Sequence, residues 1–212
     1  QGTQETVLQT GTSDNLCVSI TKINDSEMLM VYVDDNPARA DVNKRTVYYS
    51  IGDGETWGVP EILDDDGTLD DYPNVQDLGN GQIIVSWSSA NKVHDEDADV
   101  TDVLSSLEIK TVFFDKSSKT FGEVTQLTKT TDEDYTADVL PRAAYDENTD
   151  RLILYYTKTE YISLDDVEDL YDENSAPSVT AYLFYENGEW SNDGSVYTDD
   201  ELYGMTEPEI ES

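Results

Sequence analysis

"SIGDGETW", residues 50–57, joins two alternating runs, "RTVYYS" (45–50) and "GVPEILD" (58–64). Its Gly and Asp residues suit a tight turn, and Trp57 stands where the second run begins. The same aromatic placement recurs at Phe121 in "SKTFG" and Trp190 in "NGEWS", 64 and then 69 residues further on. A second series keeps this spacing. Pro73 in "YPNVQDLGNGQIIVSW", Pro141 in "LPRAAYDENTDRLILYY" and Pro208 in "TEPEI" lie 68 and 67 residues apart, each opening a β segment. Self-similarity at a fixed period is the mark of a repeat architecture.

The segments between these marks read as strands. "EMLMVYV", "TVYYSI", "QIIVSW", "LEIKTVFF", "RLILYY" and "VTAYLFY" are rich in Val, Ile, Tyr and Phe, and Gly, Asn and Asp clusters separate them. Each unit therefore has four strands: an inner A strand near the Pro, then B, C and an outer D strand that carries the aromatic. Unit one spans about 16–63, unit two 72–128 and unit three 140–198. Radial repetition of four short antiparallel strands predicts an all-β fold, a β-propeller, with these units as blades. Two packed sandwich domains are the alternative, and a repeat that crosses the chain without a linker counts against them. "EYISLDDVEDLYDEN" departs from the pattern: Ile162, Leu164, Val167 and Leu170 have roughly helical spacing, consistent with a short helix in an insertion. Residues 5–10 resemble a D strand and 205–212 a new A strand. Three blades and two fragments do not close a ring. The chain is expected to be one part of a larger propeller, completed by a second polypeptide, a symmetry mate or further sequence.

Composition narrows the partners. The 212 residues are 37% hydrophobic, enough for a real core, and carry 47 Asp and Glu against 12 Lys and Arg, a formal charge of −35. Such a charge repels nucleic acid and anionic membrane surfaces, and no run is long enough for a transmembrane helix. Metal cations, basic proteins and neutral sugars remain. The one cysteine, Cys17, lies in the strand-like run "NLCVSI" and can form no internal disulfide.

The octet resembles the Asp box (BNR repeat) of sialidase-like β-propellers, in which Ser-x-Asp-x-Gly-x-Thr-Trp turns from the third to the fourth strand of a blade. Ser50, Gly54, Thr56 and Trp57 match; Gly52 holds the family's Asp position, and the acid follows as Asp53. Blade two keeps Thr120 with Phe121, and blade three keeps Trp190. The resemblance implies a structural turn, capped by Asp53 through backbone amides, with Trp57 packed between sheets. It also implies an extracellular or cell-surface bacterial setting.

In the fold it resembles, the A–B and C–D turns occupy one face and the B–C loops and D–A connections the other, the ligand face. Here the first set is short and the second long, and the long segments hold 28 of the 47 acids. Asp71, Asp138, Arg39, Arg142 and Tyr135 are the ligand-face candidates. "DDDGTLDD" offers alternating oxygens around a Gly, which suits a hard cation such as Ca²⁺, with Asp64, Asp66 and Asp70 as ligands. His94, at an acidic loop tip, is expected to be solvated.

Two function classes follow. One is a non-catalytic recognition or scaffold module whose acidic face and interleaved tyrosines hold a cation, a glycan or a protein. The other is a glycoside hydrolase. Sialidases of the resembled family use an arginine cluster, a Tyr nucleophile paired with a Glu, and an Asp acid. Only Arg39, Arg45, Arg142 and Arg151 are present, with Arg151 assigned to the opposite turn. The constellation cannot be assembled from these residues alone, which favours the recognition module.

Overall fold

A computed structural model describes residues 17–129, 136–146, 149, 151–160, 178–191 and 196–197. Three antiparallel sheets follow one another along the chain. The first has the order β1 (Val18–Lys22), β2 (Met28–Asp35), β3 (Arg45–Gly52), β4 (Glu61–Ile62). In the second, β5 (Asp70–Asp77), β6 (Gln82–Ala90), β7 (Leu107–Asp115) and β8 (Thr120–Phe121) run in sequence, and β9 (Thr125–Gln126) also pairs with β7. The third has β10 (Thr136–Asp146), β11 (Arg151–Glu160), β12 (Ser178–Glu186) and β13 (Glu189–Ser191), with β14 (Val196–Tyr197) on β12. These are the blades of a partial β-propeller. The chain is almost all β; the described exceptions are a 3-10 turn at Asp41–Asn43 and one short helix, α1 (Val100–Leu104), capped by the Asp99 side chain. The expected helix within 160–174 and the strands at 5–10 and 205–212 fall largely or wholly outside the described residues. No helix among the described residues is long and apolar enough to cross a membrane.

The blades stack face to face, with β5 between β1 and β10. Leu29, Val31 and Val47 of blade one pack on Val75, Ile83, Val85, Trp87, Val112 and Phe114 of blade two. On the other side of blade two, Leu78, Ile84 and Ile109 meet Leu152, Leu154, Tyr156, Ala181 and Leu183 of blade three. Blade two is thus covered on both faces, so β6 is buried along almost its whole length instead of alternating. Strand β1 keeps the alternation of a half-exposed sheet.

The prolines that mark the repeat have a structural cause. The ladder slips between Asp71 and Asn74 in β5 and again between Val139 and Arg142 in β10. Pro73 and Pro141 sit inside these slips, each after a residue with positive φ, Tyr72 at 52° and Leu140 at 57°. Proline donates no ladder hydrogen bond and disfavours the right-handed helical region for its predecessor, so a bulge is where an inner strand accommodates it. Each bulge places a carboxylate at the same point: Asp70 and Asp138 are both fully buried near the start of their strands.

The opening octet folds around Asp53. Its Oδ1 accepts from the Glu55 amide at 2.9 Å, the Thr56 amide at 2.6 Å and the Thr56 hydroxyl at 3.1 Å. Those bonds hold the carboxyl below its ordinary value. Gly54 takes φ 90°, and the Ser50 hydroxyl donates to the Gly58 carbonyl at 2.9 Å. A Cβ at Gly52 would lie 2.2 Å from the Thr56 carbonyl oxygen and 2.9 Å from Trp57. No side chain fits there, which accounts for the acid's displacement to position 53. Blade two repeats the device with Asp115, whose Oδ1 accepts from the amides and hydroxyls of Ser117 and Ser118; its carboxyl is held down at about 2.

Candidate functional site

The strand directions place the starts of β1, β3, β5, β7 and β10 and the ends of β2 and β6 on one edge of the sheets. Three blades bring charged side chains together there. Arg45, first residue of β3, donates from Nη2 to Asp71 Oδ1 of β5 at 2.8 Å. Cys17, just before β1, has its thiol raised first by burial and then by Asp71, with which it hydrogen-bonds; Arg45 and Arg142 pull it the other way. Arg142 of β10 is exposed and donates to the Pro141 carbonyl at 2.8 Å. Two guanidinium groups, a carboxylate and a thiol thus share one patch where the inner strands meet.

Of the expected ligand-face residues, Asp71 and Arg142 belong to this patch. Arg39 does not. It donates to the Thr68 carbonyl at 2.7 Å and to Asp65 at 3.0 Å, tying the B–C loop of blade one to the following connection. Tyr135 lies outside the described residues. Arg45 was not singled out from the sequence, yet it is central to the patch. The signal available was its position directly after the long loop 34–44, at the head of a C strand.

A second polar group lies in the seam between blades two and three. Glu108 and Asp138 are both fully buried there. The Thr128 hydroxyl donates to Glu108 Oε2 at 2.6 Å, and Lys158 Nζ stands 3.9 Å from Asp138 Oδ1. Burial pushes the Asp138 carboxyl up to about 6, opposed by Lys158 and Thr128 and reinforced by Glu108. Burial likewise raises the Tyr156 phenol, with Asp138 and Glu108 adding to the shift. Asp138 is therefore an acid able to keep its proton close to neutrality.

The acids of "DDDGTLDD" are engaged by several elements. Lys110 of β7 donates to Asp64 at 2.9 Å and to Asp66. Arg39 takes Asp65 and Arg45 takes Asp71. Asp70 accepts from Trp87 Nε1 at 3.0 Å and from the Val47 amide at 3.2 Å. Burial pushes its carboxyl up to about 7, against the Ser89 hydroxyl, the Lys110 charge and the Val47 amide. Asp64, Asp66 and Asp70, the expected Ca²⁺ ligands, share Lys110 as their neighbouring cation. Among the described residues no three Asp, Glu, His or Cys side chains are placed to hold a metal ion.

His94 is buried, at 6% exposure, rather than solvated. Its ring Nε2 hydrogen-bonds with Ser106 Oγ at 2.8 Å, and its backbone exchanges two bonds with the Asn43 side chain at 2.7 and 3.0 Å. These contacts lash the long loops of blades one and two together. The polar sequence "KVHDEDAD" gave no sign of Asn43, because the partner is 51 residues away.

No family model matches this sequence, and no curated protein does. Solved structures do resemble the fold. A Hadza microbial sialidase superposes with a TM-score of 0.54 at 14% identity, over 82% of this chain and 36% of the other. An α-L-arabinofuranosidase from Lactobacillus brevis gives 0.52 at 17% identity, over 92% and 57%. An ulvan lyase of polysaccharide lyase family PL25 gives 0.51 at 13%, over 82% and 42%. The chain thus spans between 36 and 57% of these three proteins. At such identities the likeness is one of fold, that of a β-propeller.

Proposed function

We propose that this chain is a glycan-recognising part of a sialidase-like propeller, and that it binds its ligand on the edge where the inner strands begin. The observation that carries the reading is the meeting of Arg45, Asp71 and Arg142, drawn from three blades, on one patch. Guanidinium and carboxylate groups fixed by a rigid scaffold recognise hydroxyl and carboxylate groups with directional hydrogen bonds. Further blades, from a second polypeptide or from a longer chain, complete both the ring and the site. An extracellular setting fits this role. On a glycan array the chain binds a restricted set of glycans, and Arg142→Ala weakens that binding about tenfold, equivalent to about 1.4 kcal/mol. Loss of no glycan in the variant, or binding to none in the parent, refutes it.

One observation favours a second reading, a glycoside hydrolase whose other groups lie in the rest of the ring. The Asp138 carboxyl, pushed up to about 6, has the proton affinity of a general acid for a leaving-group oxygen. Release of nitrophenol from a panel of arylglycosides by the completed ring, abolished in Asp138→Asn, supports this reading over simple recognition.

A further inference from the structure

On the opposite edge of the sheets, the seam between blades two and three opens into a cavity of about 310 Å³. That is the lower end of the size range for small-molecule sites, roughly 300–1,000 Å³. One wall is a single row across blade three: Tyr145 of β10 faces Leu152 of β11, which faces Tyr185 of β12. With strands about 4.8 Å apart, the tyrosines stand roughly 10 Å from one another across a buried leucine floor. Asn80 and Gln82, from the A–B turn of blade two, supply the other wall, and Asn187 and Gly188 close one end.

The seam between blades one and two shows what this cavity departs from. There the corresponding row is Asp77, Ile83 and Phe114. The C–D turn of blade two carries two lysines: Lys116 pairs with Asp77, and Lys119 reaches across to Glu27 in the A–B turn of blade one. An aromatic trio is common to both seams: Tyr49, Phe114 and Phe121 in this one, with ring centroids 4.7 and 4.9 Å apart, and Phe113, Tyr185 and Trp190 beside the cavity, both pairs at 5.0 Å; the turn is what differs. In blade three the C–D turn is reduced to Asn187 and Gly188, with φ 54° and 86°, the geometry of a two-residue hairpin turn. It has no lysine and makes no such bridge among the described residues. The gap stays open, walled by two tyrosines and rimmed by amides.

The chemistry of the walls selects the ligand. No lysine or arginine is among the described lining residues, and Glu186, the one carboxylate among them, is ion-paired with Arg151 at 2.6 Å. Among the described residues no hydrogen bond engages the side-chain amides of Gln82 and Asn187. Aromatic faces take the C–H faces of a sugar ring, while amides both donate to and accept from its hydroxyls. An anion would meet a chain of charge −35 with no lysine or arginine among the described lining residues to receive it.

We propose that this cavity is a second carbohydrate site, one that binds a neutral sugar residue and anchors the propeller to a polysaccharide. It lies on the edge away from Arg45 and Arg142 and does not rest on the function proposed for them.

The test is an amide shift titration of the ¹⁵N-labelled 212-residue chain with cellobiose, xylobiose, maltose and arabinobiose, and with glucuronate as the anionic comparison. At least one neutral disaccharide is expected to move the amides of Gln82, Asn187 and Gly188, with glucuronate moving none of them. Tyr145→Ala should weaken that binding about tenfold or more. Asn187→Lys puts a longer, charged side chain on the rim, at a left-handed position of the kind that Lys119 occupies in blade two with φ 57°, and should weaken binding equally with the fold retained. Arg142→Ala should leave it unchanged. The proposal is overturned if none of the four disaccharides moves these amides, if glucuronate moves them as readily, or if Asn187→Lys binds as tightly as the parent.

Discussion

Replacing Lys110 with Met tests whether the acidic segment after blade one is held by an internal cation. Lys110 is 8% exposed, and its partners Asp64 and Asp66 are 14% and 35% exposed. At an effective dielectric of about 20, a unit pair at 2.9 Å attracts by roughly 6 kcal/mol, most of which offsets the desolvation of the charges. Methionine keeps the apolar stem but leaves two carboxylates facing each other with no ammonium between them. Breaking a buried pair in this way costs about 3–5 kcal/mol. The lower figure applies because a third of Asp66 remains in water. For a chain of this size, about 3 kcal/mol corresponds to a fall of roughly 6–12 °C in melting temperature.

The pH dependence supplies a second reading of the same variant. Burial pushes Asp66 up, but Lys110 and Thr68 outweigh it and hold the carboxyl below its ordinary value. Stability from this carboxylate is therefore present above the unfolded value of about 4 and lost as pH falls through the folded one. Urea denaturation should show the full cost of Lys110→Met at pH 7 and a shrinking cost below about pH 4. Adding Asp64→Asn and Asp66→Asn to the variant should recover more than half of the loss. Ca²⁺ should stabilise Lys110→Met more than the parent, in which the ammonium already lies against both carboxylates. A cost below about 0.5 kcal/mol, the size of an ordinary surface change, or an undiminished loss in the triple variant, would show that Lys110 does not neutralise this segment.

Two further titrations probe the buried groups. The folded state holds the Asp138 proton up to about 6, so stability falls by about 3 kcal/mol as pH rises from about 4 to about 6; Asp138→Asn should flatten that stretch of the urea-midpoint profile, and an unchanged slope would count against a buried protonated acid. Burial and Lys92 lower His94, opposed by Asp102 and Asp95, so its folded imidazole stays neutral and stability is lost as pH falls below about 6.5; His94→Asn should reduce that acid-side loss, and a variant as acid-sensitive as the parent would refute the assignment.

The architecture was legible because its determinants are local and repeated. A bulge that admits proline leaves Pro73 in β5 and Pro141 in β10, and a tight turn leaves an aromatic after it, so two short patterns at one period mark the blades. The turn capped by Asp53 was legible too, since the cap needs only a carboxylate within a few residues. The candidate site was less so. Arg45 and Asp71 are 26 residues apart and Lys110 is 46 from Asp64; such pairs exist only once strands of neighbouring blades are stacked. Composition misleads in the same way, because a run of acids looks identical whether it faces water or meets a lysine from the next blade.

The sites argued here arise where the blades stop being equivalent. Asp70 and Asp138 stand at equivalent points beside their bulges, yet Asp70 accepts from Trp87 and the Val47 amide while Asp138 has Lys158, Thr128 and the like-charged Glu108 beside it. The turn-face seam is bridged by Lys119 in one repeat and left open by Asn187 in the next. Repetition supplies a rigid frame at low cost in sequence information, since each blade reuses one packing solution. Individual substitutions on that frame then change a seam without disturbing the strands beside it. Asn187→Lys uses this property directly: if the frame is as modular as the two seams indicate, one side chain on the turn fills the rim of the open seam, removing sugar binding and keeping the fold.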